Sequence, residues 1–281
     1  MRLLFGSAVA WGFAVTALRC GAAVLLLPLV LRTLPEAHLG FWYLFQALGM
    51  LTVLLDAGFC ESTIRATGYI AAGARRLLDI GVDEIDPGSP KTGAMNVELF
   101  GDLVATLRKY YRWIGLASVL LVGGGGGTVV WVRSQGVADT PAVVVSWLIF
   151  ACGSSLNLTF GFWTSLLVGL GHVRPAKMIL FGSLLLNYII AAIGLWLGYG
   201  LYALAGGNFV MSLVLRLSGK AVLDVQLRRR RVTARGRFSA AVLKALWPNS
   251  WRQFLMTVAV YLLTEGPMIA CSMTLSMAQA A

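Results

Sequence analysis

Arg19, Asp56 and Glu265 stand within long runs of apolar residues. On insertion scales an ionised group at mid-bilayer is unfavourable by roughly 2.5–3.5 kcal/mol, so each needs a partner or a wet cavity. Arg19 lies midway along its run, with Val15 and Trp11 on the same helical face at i−4 and i−8. Its planar fork matches phosphate oxygens, so in a cavity it suits an anionic diphosphate. It can equally pair with an internal acid or snorkel to the interface. Glu265 lies about halfway along the last run, just before Gly266-Pro267. Proline removes a backbone hydrogen bond and clashes with the preceding turn, which predicts a kink at Pro267. A carboxylate beside a broken helix suits Na⁺ or a proton, and Glu265 can also neutralise Arg19. Asp56 sits near the cytoplasmic end of the second run, in Leu54-Leu55-Asp56-Ala57-Gly58, with Arg65 nine residues on as its candidate partner. That pair reads as a brace of the helix end or as a conformational latch.

The fourth run carries Ser154, Ser155, Asn157, Thr159, Thr164 and Ser165 among apolar neighbours. Such a stripe either bonds adjacent helices or lines a path for sugars, with Asn157 as a candidate contact. Trp11, Trp42, Trp147 and Trp163 can stack on sugar rings, although aromatic belts at the two interfaces account for most of them.

Signals for catalysis are missing. There is no glycine-rich loop followed by Lys and Ser or Thr to cradle phosphates, and Gly219-Lys220-Ala221 lacks both the spacing and the hydroxyl. The run Gly123–Gly127 is followed by no lysine, so it reads as close helix packing or as a weakened hinge. The two histidines, His38 and His172, fall on opposite sides of the membrane under the topology that the basic residues imply, so they form no metal pair. Asp83, Glu84 and Asp86 read as a solvated acidic loop; a metal-diphosphate site is the sharper alternative. Cys20, Cys60, Cys152 and Cys271 are far apart with no CxxC pair, and buried small hydrophobes is their default reading.

The elements that must hold these residues follow from hydropathy. The chain is 58% hydrophobic and 12% charged, with a mean hydropathy of +0.78, against about 25% charge in soluble domains. Apolar runs at roughly 8–31, 41–60, 113–132, 141–170, 177–198, 200–218 and 252–275 are each about the length a helix needs to cross a bilayer. They do not alternate as barrel strands would. An all-α polytopic bundle of about seven spans is expected. The basic residues sort by connection: 20 of the 23 fall on one side and two, Arg32 and Arg133, on the other, with Arg19 inside a span. Ten of the 20, from Arg216 to Arg252, belong to the sixth connection. Cytoplasmic loops collect Lys and Arg, which places the N-terminus in the cytoplasm and the C-terminus outside. The net charge of +11 is therefore a topology signal and not a nucleic-acid footprint. Arg228–Arg231, directly after a span, reads as an anchor on acidic headgroups. Residues 238–251 read as an interfacial amphipathic helix. The short outer connections leave no room for a catalytic domain, so a transporter or membrane scaffold is expected and not an enzyme.

The runs Pro28-Leu-Val-Leu-Arg32-Thr-Leu34, Leu39-Gly40-Phe-Trp42, Leu55-Asp56-Ala-Gly58-Phe59 and Arg65-Ala-Thr67 resemble the N-terminal signature of the polysaccharide flippases. These O-antigen and exopolysaccharide carriers belong to the multidrug/oligosaccharidyl-lipid/polysaccharide exporter superfamily. The likeness continues through Leu107-Arg-Lys-Tyr-Tyr111, Gly169-Leu-Gly-His-Val-Arg174 and Trp247-Pro-Asn-Ser-Trp251. It covers most of the chain as a diffuse pattern, with residues 28–66 the most specific part.

The resemblance implies a bacterial inner-membrane protein working by alternating access on a polyprenyl-diphosphate-linked oligosaccharide. It also implies contacts with membrane lipids and, among partners, a glycan polymerase and other assembly proteins, but no nucleic acid. No cofactor is implied beyond a coupling Na⁺ or H⁺. Arg19, Asn157 and Trp11 become candidate substrate contacts, Glu265 the ion-coupling residue, and Asp56, Arg65 and Pro267 conformational residues. On this reading 1–219 is a first six-helix bundle with an insertion at 77–103, and 220–251 is a basic linker. Residues 252–281 are the seventh span, opening a second bundle that family members continue. A lone bundle is expected not to transport by itself. A cation-coupled multidrug exporter of the same superfamily and a non-transporting scaffold for glycan assembly are the rival readings.

Overall fold

The computed structural model describes residues 7–78, 95–135, 137, 139–232, 235–267 and 270. It is all-helical over the described residues, as expected, and six helical runs are long and apolar enough to cross a membrane. The protein is a multi-pass helical membrane protein. The first run is α1 (Ala8–Thr33), capped by Ser7, whose hydroxyl accepts the Ala10 N–H at 3.0 Å. Two of the runs are broken. The second consists of α2 (Glu36–Gly49), α3 (Leu51–Asp56) and α4 (Phe59–Ala71). The fourth consists of α7 (Thr140–Thr159) and α8 (Gly161–Gly169), parted at Phe160.

The third run is continuous: α5 (Val97–Ser118), a π-helical stretch (Val119–Gly126) and α6 (Gly127–Ser134). The five-glycine run packs closely at its C-terminal end, as the first of its two readings expects. Gly126 and Gly127 lie under the indole of Trp147, whose Nε1 donates to the Gly123 carbonyl at 3.4 Å, while a Cβ on Gly123, Gly124 or Gly125 would meet nothing within 4 Å. Trp147 is therefore a fully buried core residue and not part of an interfacial belt. α9 (Val173–Trp196) and α10 (Leu201–Arg229) form a tight hairpin in which a Cβ at Gly194 would strike Ala203. Small residues of this kind let helices approach where lipid supplies no hydrophobic drive. The outward faces stay apolar, Leu25 of α1 being 76% exposed and Leu263 79%.

Several expectations are corrected. The second and third runs continue further past their apolar stretches than hydropathy suggests, so Arg65, Arg108, Lys109 and Arg112 lie on helices and not in a loop. The end of the expected insertion, from Val97, is the first turn of α5; residues 79–94, with the acidic loop, lie outside the described residues. The interfacial helix and seventh span expected as separate pieces begin as one helix, α11 (Ala240–Thr264), with Pro248 inside it. Cys20 and Cys152 are exposed on apolar helices instead of buried, and Cys60 is half-buried. Cys271 lies outside the described residues.

The linker before α11 is stapled to α5. The Arg237 N–H donates to Asp102 Oδ1 at 2.8 Å, the Ser239 N–H donates to Thr106 Oγ1 at 3.0 Å, and Gly236 lies against the backbone of Gly101.

At the α8–α9 corner, outside the spans, burial lowers the pKa of His172 from its ordinary 6.5, and the charge of Arg230 adds to this. The unfolded chain then binds this proton at a higher pH than the folded one. The stability contribution is complete above 6.5 and is lost as pH falls towards the lowered folded value. Melting curves in detergent should show this loss below 6.5 for the wild type and a flatter profile for His172→Gln.

Candidate functional site

The second run breaks at Asp56-Ala57-Gly58, where two successive residues take left-handed backbone, Ala57 at φ 49° and Gly58 at φ 73°. Glycine does so without a Cβ penalty. The Asp56 carboxylate splices the break: Oδ2 accepts the Cys60 N–H at 3.0 Å, an otherwise orphaned donor of the first turn of α4. Oδ1 accepts the Tyr111 hydroxyl of α5 at 2.6 Å and the Cys60 thiol at 3.3 Å. Asp56 thus holds α3, α4 and α5 together.

Opposite it lies Arg216, near the middle of α10. Its Nε donates to Asn157 Oδ1 at 2.8 Å, and Nη1 donates to Thr164 Oγ1 at 3.0 Å and to the Gly161 carbonyl at 3.4 Å. All three acceptors flank the break at Phe160. Nη2 has no hydrogen-bond partner among the described residues. A Cβ on Gly161 would stand 3.5 Å from Cys60 Sγ and 3.8 Å from Arg216 Nη2, so one small residue separates the arginine from the aspartate's thiol partner.

Between the two charges is a cavity of about 280 Å³, lined by Thr52, Val53, Asp56, Gly58, Cys60, Glu61, Asn157, Leu158, Gly161, Arg216, Gln253 and Thr257. The bundle around it has two apolar clusters, and the cavity borders the second of them through Leu158 and Cys60. The first is built on Phe41, Phe45, Trp147 and Phe150, the second on Phe59, Tyr111, Phe162 and Leu166. Gln253 and Thr257 belong to α11, which closes one side. α11 is held there by the Ser250 hydroxyl donating to Ser62 at 2.9 Å and by the Tyr261 hydroxyl donating to the Ala47 carbonyl at 3.3 Å. Polar sites beside broken helices are a recurring architecture of transporters.

Of the residues singled out from sequence, Asp56 and Asn157 meet at this cavity. Arg65 is exposed and does not pair with Asp56, whose partners are Tyr111 and Cys60. Arg19 is exposed on α1, which packs against α9. Trp11 meets Phe181 edge-on at 5.5 Å, away from the cavity. Glu265 ends α11 and forms no ion pair with Arg19 among the described residues, and Pro267 lies just past the end of that helix. Residues 268, 269 and 271–281 lie outside the described residues, so the expected kink at Pro267 falls at the edge of what is described.

Sequence reasoning misses Arg216. It counts there among the cytoplasmic charges of the sixth connection, although it falls two residues inside the hydropathy limit of the sixth run. That position is the available signal. Tyr111 and Cys60 carry no signal in their own right, because only the fold brings them to Asp56. Compared with family models, with curated proteins and with solved structures, the chain finds no match in any of the three.

Proposed function

We propose that this chain is the first bundle of an alternating-access carrier that flips a polyprenyl-diphosphate-linked oligosaccharide across the bacterial inner membrane. The observation that supports this most is the polar cavity inside the apolar bundle, set between two broken spans and walled on one side by α11. Each break is bridged by a polar side chain, Asp56 at one and Arg216 at the other, so exchange of those hydrogen bonds would let the segments either side tilt, which a carrier needs and a rigid anchor does not. The expected coupling ion is Na⁺ or H⁺. The chain carries no catalytic role in this reading, and a glycan polymerase is a candidate partner.

Cation-coupled drug export is the second reading, favoured by the carboxylates of Asp56 and Glu61 at the cavity and opposed by Arg216, which repels organic cations. One genetic experiment separates them. Deleting the coding frame in its host should abolish surface glycan, with lipid-linked oligosaccharide accumulating on the cytoplasmic leaflet. The whole carrier's reading frame should restore glycan, whereas the stretch encoding this chain alone should not, and Arg216→Met in the whole frame should not. Normal surface glycan accompanied by greater sensitivity to cationic dyes would reject the flippase.

A further inference from the structure

We infer that the cavity between Asp56 and Arg216 binds a single neutral sugar ring through its hydroxyls, a subsite for one residue of the carried glycan. The inference rests on the flippase reading for its choice of glycan as cargo, but the cavity argues the ligand's chemistry by itself.

Charge comes first. An anion attracted to the open Nη2 arm of Arg216 meets the carboxylates of Asp56 and Glu61, and a cation attracted to these meets the guanidinium. A neutral ligand avoids both conflicts. Hydrogen-bond capacity points to hydroxyls, which donate and accept together. Arg216 Nη2 and Asn157 Nδ2 offer donors, Asn157 Oδ1 being already engaged by Arg216 Nε. Glu61 offers acceptors. Thr52 and Thr257 do so too, because their own protons are committed to the carbonyls of Gly49 at 2.8 Å and Gln253 at 2.9 Å. Gln253 offers both kinds. The planar ends of Glu61 and Gln253 each present two atoms side by side, the geometry that vicinal hydroxyls match.

Size limits the ligand. About 280 Å³ lies at the lower edge of small-molecule pockets, which run from about 300 Å³ upward. One ring fills it, and further residues of a chain would lie outside its mouth. The apolar C–H face of the ring would lie on the Leu158 side chain and the bare backbone of Gly161.

Gly161 supplies the test. A methyl there meets Cys60 and Arg216 at ordinary contact distances, so Gly161→Ala fits the fold while entering the cavity. Thermal unfolding of the purified full chain in detergent would be followed with glucose, galactose, N-acetylglucosamine and rhamnose, each at the same high concentration, and with sodium phosphate. At least one sugar should raise the wild-type midpoint by several degrees and the Gly161→Ala midpoint by clearly less. Equal shifts with every sugar in both proteins, the behaviour of an excluded cosolute, would overturn the inference. So would stabilisation by phosphate alone. If sugars bind but the deletion strain keeps its surface glycan, the subsite stands and the flippase reading falls. If glycan is lost but no sugar discriminates the two proteins, the subsite falls alone.

Discussion

Arg216→Met should lower the stability of the purified bundle by about 3 kcal/mol, the largest single-residue effect expected for a polar side chain here. Three acceptors, Asn157 Oδ1, Thr164 Oγ1 and the Gly161 carbonyl, lose one shared donor group. Hydrogen bonds to a charged group contribute about 1.5–3 kcal/mol each in soluble interiors, while polar contacts between membrane helices average only about 0.6 kcal/mol. The expected figure lies between three of the latter and three of the former. Methionine keeps the volume of the stem, so the change reports the charge and not a void. Arg216→Lys should recover part of the loss, since a point charge replaces the cation but not the two-armed geometry. Asp56 adds a further signature. The Asp56→Asn/Arg216→Met double variant should be less destabilised than the two single changes added together, because each charge is compensated by the other across the cavity. Strict additivity in detergent unfolding would show that the two groups do not sense each other.

Gly58→Ala should be comparably severe through a different mechanism. The new methyl would stand 2.6 Å from Gln253 Cβ and 2.8 Å from the Ser250 carbonyl, at a φ of +73° that L-residues avoid. Backbone strain of about 1 kcal/mol and overpacking of about 1–3 kcal/mol both act, giving about 3 kcal/mol in all. The strain is local, but the clash is with α11, so α11 should loosen from α4. Trp247, which packs near Phe59 at a centroid distance of 6.3 Å, would report this as a shift in indole emission. Ser62→Ala is the contrasting change. It removes only the Ser62–Ser250 hydrogen bond and should lower stability by about 0.6 kcal/mol. Similar losses from Gly58→Ala and Ser62→Ala would discard the steric account.

The order of the first six apolar helical runs was legible because hydropathy over about 20 residues is a property of local sequence. The helix limits were not, since Arg108, Lys109 and Arg216 ride on helices that continue past their apolar stretch. Asp56-Ala57-Gly58 is conspicuous as a motif, yet its role is hidden in the sequence. Sequence separation favours Arg65, whereas the helix break turns the carboxylate towards Tyr111, 55 positions away. Arg19 draws attention by standing alone in an apolar run. Arg216 attracts none, because it sits close to a dense basic segment and counts as part of it. An arginine can be assigned to the interior only when the acceptors around it are known, and those come from a break in another helix.

The attachment of the linker to α5 sets a direction for movement. Residues 236–239 tie the segment before α11 to α5 through hydrogen bonds at 2.8 and 3.0 Å, whereas near Thr264 α11 is held by the longer Tyr261–Ala47 hydrogen bond at 3.3 Å and presents Leu262 and Leu263 to the surroundings. A rod fastened at its base sweeps its tip through the longest arc. Departure of this wall would therefore uncover the polar chamber first from the side remote from the basic linker, while the linker side stays shut like a clasp.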